Sequence, residues 1–156
     1  MAFVEAKFDG DLDLDLTRYE ILIQEKVMFA GAAAMANVIY QEVLANVHKL
    51  GRKSGNLEKA VFRAYSDMSS SPLRKTYRIT WRHKDAPHGK LLEYGYWQPY
   101  QVVLLPNGDW FTDKSKKLDA PKRIPAHPFL RPAFAKMQTA ITIGKARMAE
   151  KLTEIA

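Results

Sequence analysis

The 156-residue chain has no cysteine, which removes disulfide staples, thiolate nucleophiles, iron–sulfur clusters and Cys-containing zinc sites from consideration. Stability must then come from packing or assembly. No stretch reaches 18 unbroken apolar residues; the nearest, Val27 to Ala36, is too short for a membrane span. Residues 1–10 also lack the basic start and apolar run of a secretory signal. These absences predict a soluble protein made in a reducing compartment.

Catalytic signatures are missing as well. There is no G-x-S-x-G, P-loop or dinucleotide fingerprint. The four histidines, His48, His83, His88 and His127, show no His-x-x-x-His or carboxylate-linked spacing for a metal. His127 stands between Ala126 and Pro128, where a structural hydrogen bond is expected rather than catalysis. Glu93 is the only acid between Asp85 and Asp109. A general acid or base needs a titrating partner or a pocket, and the sequence supplies neither, so Glu93 reads as a structural or interface carboxylate. No enzyme, metal or cofactor is expected.

What the chain does have is charge, unevenly placed. Its 24 Lys and Arg against 17 Asp and Glu give +7, which permits contact with a polyanion without demonstrating it. Residues 1–16 run against this trend, with Glu5, Asp9, Asp11, Asp13 and Asp15 facing only Lys7. Asp9-Gly10-Asp11-Leu12-Asp13 looks like the opening of a calcium loop, but Leu14 stands where that loop needs glycine. The segment instead predicts an exposed strand or arm, with Leu12, Leu14 and Leu16 on one side and the aspartates on the other, suited to pairing with a neighbouring subunit. At the other extreme, Lys114, Lys116, Lys117, Lys122 and Arg123 are interrupted by Asp119 and Pro121 and followed by Pro125 and Pro128. That composition predicts an extended basic loop over about 113–127, available to a polyanion or an acidic partner.

Two helices are legible. Thr17 and Glu20 form a T-x-x-E capping box with Leu16 and Ile21 at the staple positions, predicting a helix from about Thr17. Met28, Ala32, Met35, Ile39, Val43 and Val47 then recur at three- and four-residue steps until Leu50 and Gly51. Such a helix is on the order of 50 Å long, more than a small domain can cover. Its Ala30 to Ala36 middle is made of small side chains that admit a close neighbour, either the last helix and sheet of the same chain or another subunit. Near the C-terminus, Pro132 suits a first helical position, with Phe134, Met137, Ile141, Met148, Leu152 and Ile155 marking an apolar face.

Between the helices the pattern changes to strands. Ala60 to Tyr65 is one, and Arg74 to Arg82 alternates Tyr77, Ile79 and Trp81 with Arg78, Thr80 and Arg82. Tyr100 to Leu105 and Trp110 to Thr112 flank Pro106-Asn107-Gly108-Asp109, a hairpin turn. The expected architecture is α+β: a long N-terminal helix and a C-terminal helix packed on a three- to four-stranded antiparallel sheet. Residues 1–16 form the acidic arm and 17–156 a single domain. Eleven Lys or Arg against three acids between Lys49 and Lys90, with Tyr65, Tyr77 and Trp81 interleaved, leave a basic DNA-binding module as an alternative function, although Tyr77 and Trp81 share their face with Ile79 and read as core.

Three features in order carry a family resemblance: the long Ala-rich helix running into Ser54-Gly55-Asn56-Leu57, the Leu92-Glu93-Tyr94-Gly95 segment, and Pro128-Phe129-Leu130-Arg131-Pro132-Ala133 heading the final helix. The chain resembles the small tail-component and tail-completion family of long-tailed double-stranded DNA bacteriophages, the HK-ninety-seven gene-product-ten type, over roughly residues 18–155. It departs where Tyr96-Trp97-Gln98 follows Gly95, and the acidic head has no counterpart. The resemblance implies a structural virion protein of the neck, for tail completion or head–tail joining, assembled as a homo-oligomeric ring, a hexamer. Its implied partners are tail-tube or tail-terminator proteins and head-completion or connector proteins, with non-specific contact to DNA in the channel and none to membrane. The implied location is the virion, and the host cytoplasm during assembly. Glu93, Gly95, Pro128, Phe129, Leu130, Arg131 and Pro132 become the structural or interface motif, with an Arg131–Glu93 pairing as a hypothesis.

Overall fold

A computed structural model describes residues 12–51 and 55–155, with side chains described from Leu16 onward. The element order is α1 (Leu12–Lys49), α2 (Asn56–Ala60), β1 (Val61–Tyr65), β2 (Tyr77–Trp81), α3 (Gly89–Tyr94), β3 (Tyr96–Leu104), β4 (Trp110–Ile124) and α4 (Met137–Ile155), with 3-10 turns at Asp67–Ser69 and Arg131–Lys136. The mixed α+β class is as expected. The single three- to four-stranded sheet is not: β1 and β2 form one two-stranded sheet and β3 and β4 another.

By internal contacts the chain divides into two compact units, one of residues 1–39, 63–78 and 136–156, the other of residues 40–62 and 79–135. In the first unit, α1 and α4 approach closely. A Cβ on Gly31 would lie 2.2 Å from the Met148 methyl, and one on Gly144 would lie 2.4 Å from Met35 Cγ and 3.2 Å from the Gly31 carbonyl oxygen. The small-residue middle of α1 is thus taken up within the chain. Phe29, Tyr65 and Tyr77 cluster beside it, with ring centroids 5.1 Å apart for Phe29 and Tyr65 and 5.4 Å for Tyr65 and Tyr77. In the second unit, Val43, Val47, Leu57, Ala60, Val61, Ala86, Phe129 and Ala133 are the buried apolar residues among those described. β1 and β2 run antiparallel, since Ser66 N–H donates to Thr76 and Arg82 N–H to Ala60.

Three boundaries differ from expectation. First, α1 begins at Leu12, so the Thr17 and Glu20 pair lies inside the helix rather than at its start; Asp13 and Asp15 near that N-terminus complement the positive end of the helix dipole. Residues 1–11 of the acidic arm, Asp9 and Asp11 among them, lie outside the described residues, while Asp13 and Asp15 fall in the first turns of α1. Second, most of the basic loop is strand: β4 runs through Ile124 in antiparallel register with β3, from Leu104 opposite Trp110 to Tyr96 opposite Ile124. The register shifts on both sides of Tyr100, so that β4 carries extra residues, and Pro99 and Pro121 fall where the ladder is interrupted and no N–H is required. Third, the α4 face named in the sequence is partly exposed. Phe134 is 64% accessible and Leu152 half so, while Ala140 and Gly144 form the buried seam.

The turn signals hold. Gly51 ends α1 at φ +82°, and Gly108 closes the β3–β4 connection at φ +86°. In length and composition α1 also satisfies the test for a membrane-crossing helix, with an 18-residue window within Leu16–Lys49 averaging a hydropathy of 1.4. A window average tolerates scattered polar residues that an unbroken-run criterion does not.

Candidate functional site

The resemblance motifs converge in the second unit around α3 and the segment leading to α4. α3 spans Gly89–Tyr94. Its first residue is glycine because the Trp81 indole occupies the space, and a Cβ there would lie 2.5 Å from Trp81 Nε1. The helix ends at Gly95, whose φ of 69° and ψ of 174° belong to a region open essentially to glycine alone. Close approach adds a second constraint, since a Cβ at Gly95 would sit 2.6 Å from the Ile124 carbonyl oxygen and 2.8 Å from the Ala126 nitrogen. Gly95 thus lets the end of β4 lie against the end of α3, and His127 N–H donates to the Leu92 carbonyl at 2.7 Å.

This docking delivers Pro128–Pro132 to Glu93. One carboxylate oxygen accepts from the amides of Phe129 at 2.8 Å and Leu130 at 3.0 Å; the other accepts from the Arg131 amide and Arg131 Nε, both at 3.1 Å. The Arg131 guanidinium also donates to the Glu93 carbonyl and lies 5.2 Å over the Tyr94 ring. Glu93 is 1% accessible. Burial alone would push its carboxyl up, but the amides of Leu130, Phe129 and Arg131 and the Arg131 side chain outweigh that and hold it below the usual carboxylate range. A carboxylate so filled has no lone-pair direction left for a substrate. Its chemistry is that of a latch, closing the turn that heads the final helix.

The remaining motif residues surround the latch. Phe129 is fully buried, edge-on to Trp81 at 5.4 Å; Leu130 and Pro128 are half-buried, and Arg131 and Pro132 exposed. The Arg131–Glu93 pairing raised from sequence is present. Sequence reasoning passed over Asn46, which is buried and donates from Nδ2 to the Phe129 carbonyl at 3.2 Å. Its signal was a polar residue flanking Val43 and Val47 on the apolar stripe of α1.

Lys114, Lys116, Lys117, Lys122 and Arg123 are brought together along β4, all exposed. Arg123 lies over the Trp97 ring at 5.6 Å, its cross-strand partner. In the first unit, a cavity of about 440 Å³ is lined by Glu25, Phe29, Tyr65 and Lys75, among others. The Lys75 side chain is only 4% accessible and its Nζ lies 2.6 Å from Glu25 Oε1. That hydrogen bond raises the Lys75 pKa against the opposing effect of burial, so the amine stays charged and is no nucleophile. Compared with family models, curated proteins and solved structures, the chain matches none.

Proposed function

We propose that the chain is a non-enzymatic structural protein of a long-tailed bacteriophage virion, a ring subunit that completes the tail or joins head to tail at the neck. The observation that carries this reading is the N-terminal half of α1. Leu16, Tyr19, Ile21, Leu22 and Phe29 are all exposed, and the apolar window within Leu16–Lys49 is only 17% buried. Large apolar side chains exposed along one half of a helix suit a contact with another molecule, and in a ring the neighbouring copy supplies the cover. The filled Glu93 latch supports the same reading, because its carboxylate fixes a turn rather than meeting a substrate. Tail-tube or tail-terminator and head-completion or connector proteins are the further partners.

The test is electron microscopy of tailed particles that incorporate the chain with a C-terminal epitope tag. Immunogold at the head–tail junction is expected. Particles without label, or a chain that partitions into protein-free liposomes through α1, would overturn the reading.

A further inference from the structure

We infer that the lysine face of β4 is the seat for the acidic segment of a neighbouring copy, residues 1–11, with Lys114, Lys117 and Lys122 meeting Glu5, Asp9 and Asp11. This contact rests on the ring reading and adds, to the apolar half of α1, a second junction between copies. The β3–β4 register gathers the three lysines. Gln98 and Tyr100, two residues apart, share one face of β3; Lys122 and Lys117 stand opposite them and so belong to that face. Asp113 stands opposite Gln101 on the other face, and Lys114, the next residue, turns to the lysine side. The remaining cations of the strand are engaged elsewhere. Lys116 reaches Asp113 at 3.5 Å, and Arg123 lies over the Trp97 ring on the reverse face. Lys114, Lys117 and Lys122 are exposed, and no acid among the described residues pairs with them.

The chain itself supplies a matching anion. Residues 1–11 hold Glu5, Asp9 and Asp11 against Lys7, and Asp13 and Asp15 continue the negative charge into the start of α1. Between residues 114 and 124 the balance is reversed, with four lysines and one arginine against Asp119 alone. Exposed ion pairs are individually weak and screened by salt, and interfaces between independent proteins are depleted in lysine. Three such pairs do not recruit a free acidic protein. A segment joined to a subunit already docked through α1, however, meets the lysine face at an effective concentration of about millimolar, where weak pairs suffice. Placing opposite charges on the two sides of the junction also rejects head-to-head arrangements, in which like charges meet. A head-to-tail contact is the kind that closes a ring.

Carbodiimide coupling of the full chain at about 50 mM salt, where exposed charges are little screened, tests the contact, because it joins carboxylates and amines that touch. In an assembly mixed from nitrogen-15-labelled and unlabelled copies, mass spectrometry should find residues 1–11 of one isotope linked to Lys114, Lys117 or Lys122 of the other. Lys117→Glu with Lys122→Glu should raise the concentration for half-assembly about tenfold. Asp9→Lys with Asp11→Lys should do the same, and both reversals in one chain should restore wild-type assembly. Unchanged circular dichroism and urea midpoints establish that these variants are folded. Links that always join peptides of the same isotope, or an assembled wild type that gives no link between these segments, would overturn the inference and leave the ring reading standing. So would a lysine reversal that the aspartate reversal fails to rescue while oligonucleotide binding is lost, which would assign the face to nucleic acid. A wild type that stays at its single-chain mass at every concentration would remove the ring reading and this contact with it.

Discussion

Glu93 concentrates the energetics of the second unit into one side chain. It is buried, yet all its bonds run to a turn about 36 residues away in sequence, so removing it orphans three backbone amides at once. Glu93→Ala is expected to lower stability in urea by about 3 kcal/mol, and Arg131→Ala by less than about 1.5 kcal/mol because that side chain is more than half exposed. A carboxyl held below its ordinary value of 4.5 stabilises the fold above that pH and ceases to do so as pH falls through the folded value. Urea midpoints should therefore drop as pH is lowered below about 4.5, more steeply in the wild type than in Glu93→Gln; parallel profiles would show that the latch does not carry this linkage. Gly95→Ala, which meets both a forbidden backbone region and the Ile124 carbonyl, should cost about 3 kcal/mol. Glu93 could be singled out in the sequence as an isolated acid, and its pairing with Arg131 could be raised. The three amides could not, because their alignment depends on the chain reversal at Gly95.

Among the elements, those governed by local chemistry were legible and those governed by pairing were not. Gly51 and Gly108 mark positive-φ turns from sequence alone. β4 was obscured because lysines and prolines in one run resemble a loop, and only the register with β3 shows Pro99 and Pro121 sitting at interruptions of the ladder. The start of α1 is not marked by Thr17 and Glu20 because a capping pair also occurs in helix interiors, where it caps nothing. The α4 seam is hidden in the sequence for a related reason: the large apolar residues suggest the face, whereas it is Gly144 that lies against α1 and Ala140 that is fully buried. A larger side chain there cannot be absorbed by moving Met35 alone, since the Gly31 carbonyl is also close. Gly144→Val should lower the thermal midpoint by several degrees, corresponding to about 2 kcal/mol, while Gly31→Ala, which adds one methyl and meets the Met148 side chain from Cγ to its methyl, should cost less. Equal losses would place the tight contact elsewhere.

For the molecule as a whole, the acidic head and basic body remain a sequence-level statement, while the exposed N-terminal half of α1 is the structural one. Sequence length hinted at it: a helix of 38 residues exceeds the cover available to it, and burial shows which half goes uncovered. If copies of the chain cover one another, a charge placed in that apolar surface should separate them without unfolding the subunit. The most direct measurement is light scattering coupled to size-exclusion chromatography over a range of concentrations, for the wild type and for Leu22→Lys. The account predicts a wild-type mass that is a ring multiple of the 17.8 kDa chain, with a shift to the single-chain mass in Leu22→Lys at unchanged helicity. A wild-type chain that stays at its single-chain mass at every concentration, or an assembly indifferent to Leu22→Lys, would contradict it.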